Sequence, residues 1–118
     1  MHNESIKLRL GDLAFTWDDA KAELNFKKHG VLFELAVEVF LDEHFLEEEN
    51  YQQGELRFQI LGRTSTLPIR LLFVVFVERI AMNGENVVRV ISARKASRKE
   101  RIDYETKLGS EFTSCDID

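Results

Sequence analysis

The sequence predicts an α+β domain in which two N-terminal helices lead into a central antiparallel β-sheet and a C-terminal helix follows it. Three observations carry this expectation. Residues 18–30 hold a full set of helix start and stop signals. Phe33, Ala36, Val37, Phe40 and Leu41 recur at helical spacing. From Phe45 onward, apolar residues alternate with polar ones or run in strand-length blocks, broken by turn residues such as Asn83-Gly84.

At the N-terminus Ile6, Leu8 and Leu10 alternate with Lys7 and Arg9, and Leu13, Phe15 and Trp17 alternate beyond Gly11-Asp12, which predicts short edge strands. The first helix starts at Thr16 or Asp18 as N-cap, with acids in its first turn. Lys27, Lys28 and His29 fill its last turn, and Gly30 supplies the left-handed stop. The second helix presents the Phe33–Leu41 stripe, with Glu34 and Glu38 off it, and ends at Asp42-Glu43. Phe45 to Glu49 reads as an exposed strand and Leu56 to Arg63 as a half-buried one. Thr64 to Pro68 reads as a turn, and Ile69 to Val77 as a central strand apolar on both faces apart from Arg70. A two-residue Asn83-Gly84 loop would place Glu78 opposite Arg89, Val77 opposite Val90 and Val75 opposite Ser92. Val87 to Ala93 forms the returning strand. Ser97 and Glu100 make a capping box for a helix starting at about Arg98. The domain is read as residues 1–108. Residues 109–118 are read as a frayed tail, in which Lys-Leu, Gly-Ser and Glu-Phe also resemble translated cloning sites.

The totals agree with one globular unit. The 118 residues are 44% hydrophobic and 31% charged, with one Pro and six Gly, a composition able to bury a core. The single cysteine, Cys115, cannot form an intrachain disulfide. No apolar run reaches membrane-spanning length and the first ten residues carry no signal-peptide core, so the expected location is the cytoplasm with no membrane partner.

The formal net charge is −5, yet Arg89 to Arg101 holds six cations against one acid, Glu100. A basic stripe on an acidic body can bind phosphate locally. Other chemistries lack their residues. His2, His29 and His44 have no metal-ligand spacing, Cys115 stands alone, and no phosphate-cradling glycine motif occurs, so neither metal nor cofactor is expected. What remains is a set of cations around the sheet: Lys28, His29, Arg63, Arg79, Arg94 and Lys95. RNA cleavage needs little more. The 2′-OH is the nucleophile, and the protein moves two protons and stabilises charge at phosphorus. Arginine suits the last task and histidine the proton transfers.

The stretches that carry a resemblance are 15–21 (FTWDDAK), 28–31 (KHGV), 33–40 (FELAVEVF), 57–64 (RFQILGRT) and 89–105 (RVISARKASRKERIDYE). In this order and at these spacings they resemble the BrnT family of bacterial toxins. The resemblance implies a RelE-like ribonuclease fold and a toxin that cuts RNA and stops translation. It also implies a BrnA-like antitoxin with a ribbon-helix-helix DNA-binding domain, operator DNA reached only through that antitoxin, and a hetero-tetrameric complex. The site residues expected are Arg63, Arg94, His29 and Lys28 for catalysis and Lys95, Arg79, Arg98 and Tyr104 for RNA binding.

Each has a plainer reading. His29 can simply cap helix carbonyls. Arg63 can close a turn, although Gly62 beside it would let a phosphate approach. Arg94 stands where the strand's parity calls for a core residue. Lys28, Lys95, Arg98, Lys99 and Arg101 can be solvated charge, Arg79 a hairpin pair, and Tyr104 a packed ring rather than a base platform. The competing function is a non-catalytic binding module that acts as a corepressor with a DNA-binding partner.

Overall fold

A computed structural model describes residues 5–116 of the chain, with side chains to Gly109. Two short strands come first, β1 (Leu8–Leu10) and β2 (Leu13–Thr16), followed by helix α1 (Asp19–His29). Asp18 caps α1 by accepting a hydrogen bond from the Lys21 N–H, and Gly30 ends it at φ 70° while donating to the Phe26 carbonyl. Both ends therefore match the sequence expectation.

The second helix does not. Only one full helix, not two, precedes the four long strands. The predicted stripe is a single α-turn, α2 (Phe33–Ala36), that tightens into a 3-10 segment (Val37–Leu41). Three residues per turn rotate the last turn relative to an α-helix, so Val39 is buried and Leu41, a stripe residue, is 51% exposed. The β-branched Val37 and Val39 favour this outcome because they crowd an α-helical turn.

Four long strands follow: β3 (Leu46–Gln52), β4 (Glu55–Arg63), β5 (Leu71–Ile80) and β6 (Asn86–Lys95), and then α3 (Arg98–Asp116). The sheet order is β1-β2-β6-β5-β4-β3. All neighbours are antiparallel except β2 and β6, which run parallel through Phe15/Val88 and Thr16/Arg89, so the sheet is mixed rather than wholly antiparallel. The β3–β4 turn, Gln53-Gly54, has positive φ at both residues and was missed in the sequence. The α3 backbone runs on to Asp116, into the stretch that the sequence reads as a frayed tail. The side chains of that tail and residues 117–118 lie outside the described part. No helix among the described residues is long and apolar enough to cross a membrane.

The β5–β6 hairpin is antiparallel as expected, but its register is not. The loop has three residues: Ala81 pairs with Glu85, and Gly84, at φ 85°, donates to the Ala81 carbonyl. One extra loop residue slides the ladder by one, so Arg89 faces Val77 and Glu78 faces Val88. A bulge between Val90 and Ser92 then restores the expected pairing of Val75 with Ser92. The bulge keeps Val88 and Val90 on the same face as Ala93, where all three join the main core.

β5 is apolar on both faces because both are covered. Leu72, Val74 and Phe76 join Phe15, Trp17, Val31, Phe33 and Val39 in the main core. Leu71 and Phe73 point the other way, onto Tyr104 and Leu108 of α3 with Leu61. Gly62 is small for the main core rather than for a ligand: a Cβ there would lie 3.0 Å from the Val39 Cβ and carbonyl oxygen. The idea that Gly62 admits a phosphate is therefore corrected. At the β6 edge, β2 stops pairing after Arg89, and the buried Asn25 of α1 replaces it. Its amide accepts from the Ala93 N–H (3.1 Å) and donates to the Ala93 carbonyl (2.8 Å) and the Val31 carbonyl (3.2 Å). A side-chain amide thus continues the ladder where a strand is missing.

Candidate functional site

The ends of β4, β5 and β6 meet at one end of the sheet, since Arg63 pairs with Leu71 and Leu72 with Lys95. Strand alternation puts Arg63, Leu61, Leu71, Phe73 and Arg94 on the same face, with Leu61, Phe73 and Arg94 side by side across three strands. Helix α3 leaves β6 after two residues and folds back over this face.

Arg94 and Glu100 form a bidentate pair, with both N–O distances 2.8 Å. The Arg94 guanidinium also donates to the Lys95 carbonyl and sits 4.2 Å from the centroid of the Phe73 ring. Glu100 completes the predicted capping box as well: it accepts from the Ser97 N–H at 2.8 Å, and its own N–H donates to the Ser97 hydroxyl. The Arg94 hydrogen bonds hold the Glu100 carboxyl below its usual range, and those to Glu100 raise the guanidinium.

Arg63 is exposed and lies over the Tyr104 ring, 5.1 Å from its centroid. Tyr104 is 1% exposed. Its hydroxyl donates to Asp42 at 2.6 Å, and Asp42 also accepts from the backbone N–H of Arg63 and of His44. Asp42 therefore ties the end of the 3-10 segment to β4 and α3. Glu38, four residues earlier, gathers the 64–70 loop by accepting from the N–H and hydroxyl groups of Ser65 and Thr66.

Several predicted residues lie elsewhere. Lys28 and His29 end α1, and no described hydrogen bond or ion pair joins either to Arg63 or Arg94. Their link to the site is indirect: Asn25 anchors α1 at Ala93, the residue before Arg94. Arg79 is at the opposite end of β5, bound to Glu55 at 2.7 Å. Tyr104 offers no ring face to a base, because Arg63 and the sheet enclose it. Lys95 and Arg98 are exposed. The link that Asp42 makes between Arg63, His44 and Tyr104 was not foreseen, nor was the place of Arg70 beside the Arg63 end of the sheet. Arg70 was visible only as the lone cation in an apolar strand, and Asp42 only as a helix stop. Among the described residues no three His, Cys, Asp or Glu side chains gather as a metal-binding group.

The carboxylates make stability pH-dependent. Burial opposes ionisation of Asp42 and Glu38, but the hydrogen bonds each accepts more than offset it, so both titrate below their usual range, as does Glu100. A carboxylate lowered in the fold contributes stability above its unfolded pKa, about 4, and loses it as pH falls further. Glu47, raised by burial and by the charges of Glu78 and Glu49, works weakly the other way. Urea midpoints should therefore be level from pH 7 to 5 and drop between pH 4 and 3, with a shallower drop for Asp42→Asn. A midpoint unchanged down to pH 3 would contradict this.

Comparison with known proteins completes the picture. No curated protein matches the chain. A family model described as "Ribonuclease toxin, BrnT, of type II toxin-antitoxin system" matches residues 17–100, from Trp17 in the core to Glu100 on Arg94. The match covers well over half of the sequence, and it takes in Asn25, Asp42, Arg63 and Arg94; the chain belongs to the BrnT family of ribonuclease toxins of type II toxin–antitoxin systems.

Proposed function

We propose that the protein is a metal-independent endoribonuclease of RelE-like type that inhibits translation by cutting RNA. The observation that carries this reading is the pair of guanidiniums, Arg63 and Arg94, on one face and at one end of the sheet, each laid on an aromatic ring. Two guanidinium forks set against aromatic rings suit a phosphate whose negative charge grows during reaction. The 2′-oxygen attacks phosphorus as its proton leaves to a base. The bond to the 5′-oxygen breaks as an acid protonates it, which leaves a 2′,3′-cyclic phosphate and a 5′-hydroxyl. We assign the proton transfers to His29, with Lys28 holding charge, since Asn25 keeps their helix beside β6. The substrate phosphate takes the place of the Glu100 carboxylate on Arg94. Lys95 and Arg98 follow the RNA backbone. Tyr104 supports Arg63, and Arg79 stands too far along β5 to take part.

Membership of a toxin–antitoxin family brings an antitoxin and an RNA substrate as partners. We infer that the antitoxin is BrnA-like, with a ribbon-helix-helix domain that reaches operator DNA in a hetero-tetramer, and that it covers the Arg63/Arg94 face. The test is incubation of the purified chain with RNA in EDTA. Fragments ending in cyclic phosphate are expected. Intact RNA together with tight antitoxin binding would favour the corepressor module instead.

A further inference from the structure

A small pocket of about 230 Å³ opens at the same end of the sheet as Arg63, lined by Ile69, Arg70, Leu71, Lys95 and Arg101. Three of its five residues are cations and none is an acid. Its frame is fixed by backbone bonds: Thr64 donates to the Arg70 carbonyl at 2.9 Å, and Ala96 donates to the Leu71 carbonyl at 3.0 Å. The Arg70 N–H is held in turn by the Thr64 hydroxyl at 3.0 Å.

The three cations have no carboxylate partner among the described contacts. The chain could have supplied one, since it carries 21 acids against 16 Lys and Arg. Elsewhere it does so: Arg9 is paired with Glu85, Arg57 and Arg79 with Glu55, Lys7 with Asp19, and Arg94 with Glu100. Three like charges lining one concavity repel one another and attract an anion. Arg101 lies outside the family-matched stretch, while Arg70 and Lys95 lie within it.

We propose that the Arg70–Lys95–Arg101 pocket binds a backbone phosphate of the RNA, separate from the phosphate being cleaved. This rests on the ribonuclease reading and extends it from one phosphate to two. Arg63 pairs with Leu71, a wall of the pocket, so the two phosphate positions are neighbours along one strand. The pocket contributes to binding and register rather than to bond breaking.

The test uses the full chain and a single-stranded RNA methylated at every 2′-oxygen, which cannot be cut. Binding is followed by fluorescence anisotropy across a salt series for the wild type, for Arg70→Gln/Lys95→Gln/Arg101→Gln, and for Arg101→Glu alone as an exposed single change. Loss of one phosphate contact should make the slope of log K against log salt shallower by about 0.7. Affinity should fall at least tenfold in the triple variant and several-fold in Arg101→Glu, with thermal midpoints unchanged. Wild-type affinity in both variants, while Arg63→Ala weakens binding, would overturn the pocket and leave the ribonuclease reading standing. No RNA binding by the wild type would reject both. Retained RNA binding with lost antitoxin co-purification would assign the pocket to the protein partner and so overturn the proposal.

Discussion

Arg94→Ala should abolish growth inhibition at matched expression and lower RNA cleavage by about 100- to 1,000-fold, the usual loss when one charge-stabilising donor is removed. The structure sharpens this experiment, because Arg94 also holds α3 through Glu100. A loss of toxicity could therefore come from a loosened helix. The control is Glu100→Gln, which breaks the same ion pair and spares the guanidinium. The pair is partly exposed, at 36% and 22%, so breaking it costs about 1 kcal/mol or less and both variants should fold. If Arg94 contacts substrate, Glu100→Gln remains toxic and Arg94→Ala does not. Equal loss in both would make Arg94 a clamp for α3. Arg94→Lys should rescue poorly, since a point charge cannot reproduce the fork. If Arg94→Ala and Arg63→Ala are both fully toxic, the site is elsewhere on the molecule.

Tyr104→Ala should be among the most damaging single changes to stability. The ring is 1% exposed and fills the space between α3, Leu61 and Leu71. Truncating a buried aromatic costs about 3–5 kcal/mol. The hydroxyl adds a further interaction, the 2.6 Å bond to the half-buried Asp42. Tyr104→Phe isolates it and should cost about 1–2 kcal/mol, because Asp42 keeps its two backbone donors, Arg63 and His44. Urea denaturation at pH 7 reads both values. A Tyr104→Ala loss below about 1 kcal/mol would mean that α3 is not an integral part of the cooperative fold. Arg63 should also lose its support in Tyr104→Ala, so activity should fall even under conditions where the variant is folded.

Much of this protein was legible without coordinates, and the legible parts share a physical basis. Helix α1 is bounded by a cap, terminal charges and a glycine stop, all within a few residues of the backbone groups they satisfy. The capping box of α3 and the strand alternations are equally local, and the ordered KHGV and ISARKAS stretches pointed to the family that the match at residues 17–100 then established. Other features depended on where distant segments meet. A three-residue loop instead of two moved Arg89 from Glu78 to Val77, since a ladder slips as a whole. The second helix tightens into a 3-10 turn that buries Val39, which lies close against Gly62 of β4. Asn25 is buried on α1 while Leu24 and Phe26 lie exposed, because its amide both donates and accepts, as the open edge at Ala93 requires. Arg94 faces Glu100, Tyr104 lies beneath Arg63, and Arg70, Lys95 and Arg101 share one pocket, for a single reason. Strand register and the return of α3 decide which side chains become neighbours, and no spacing along the chain encodes that.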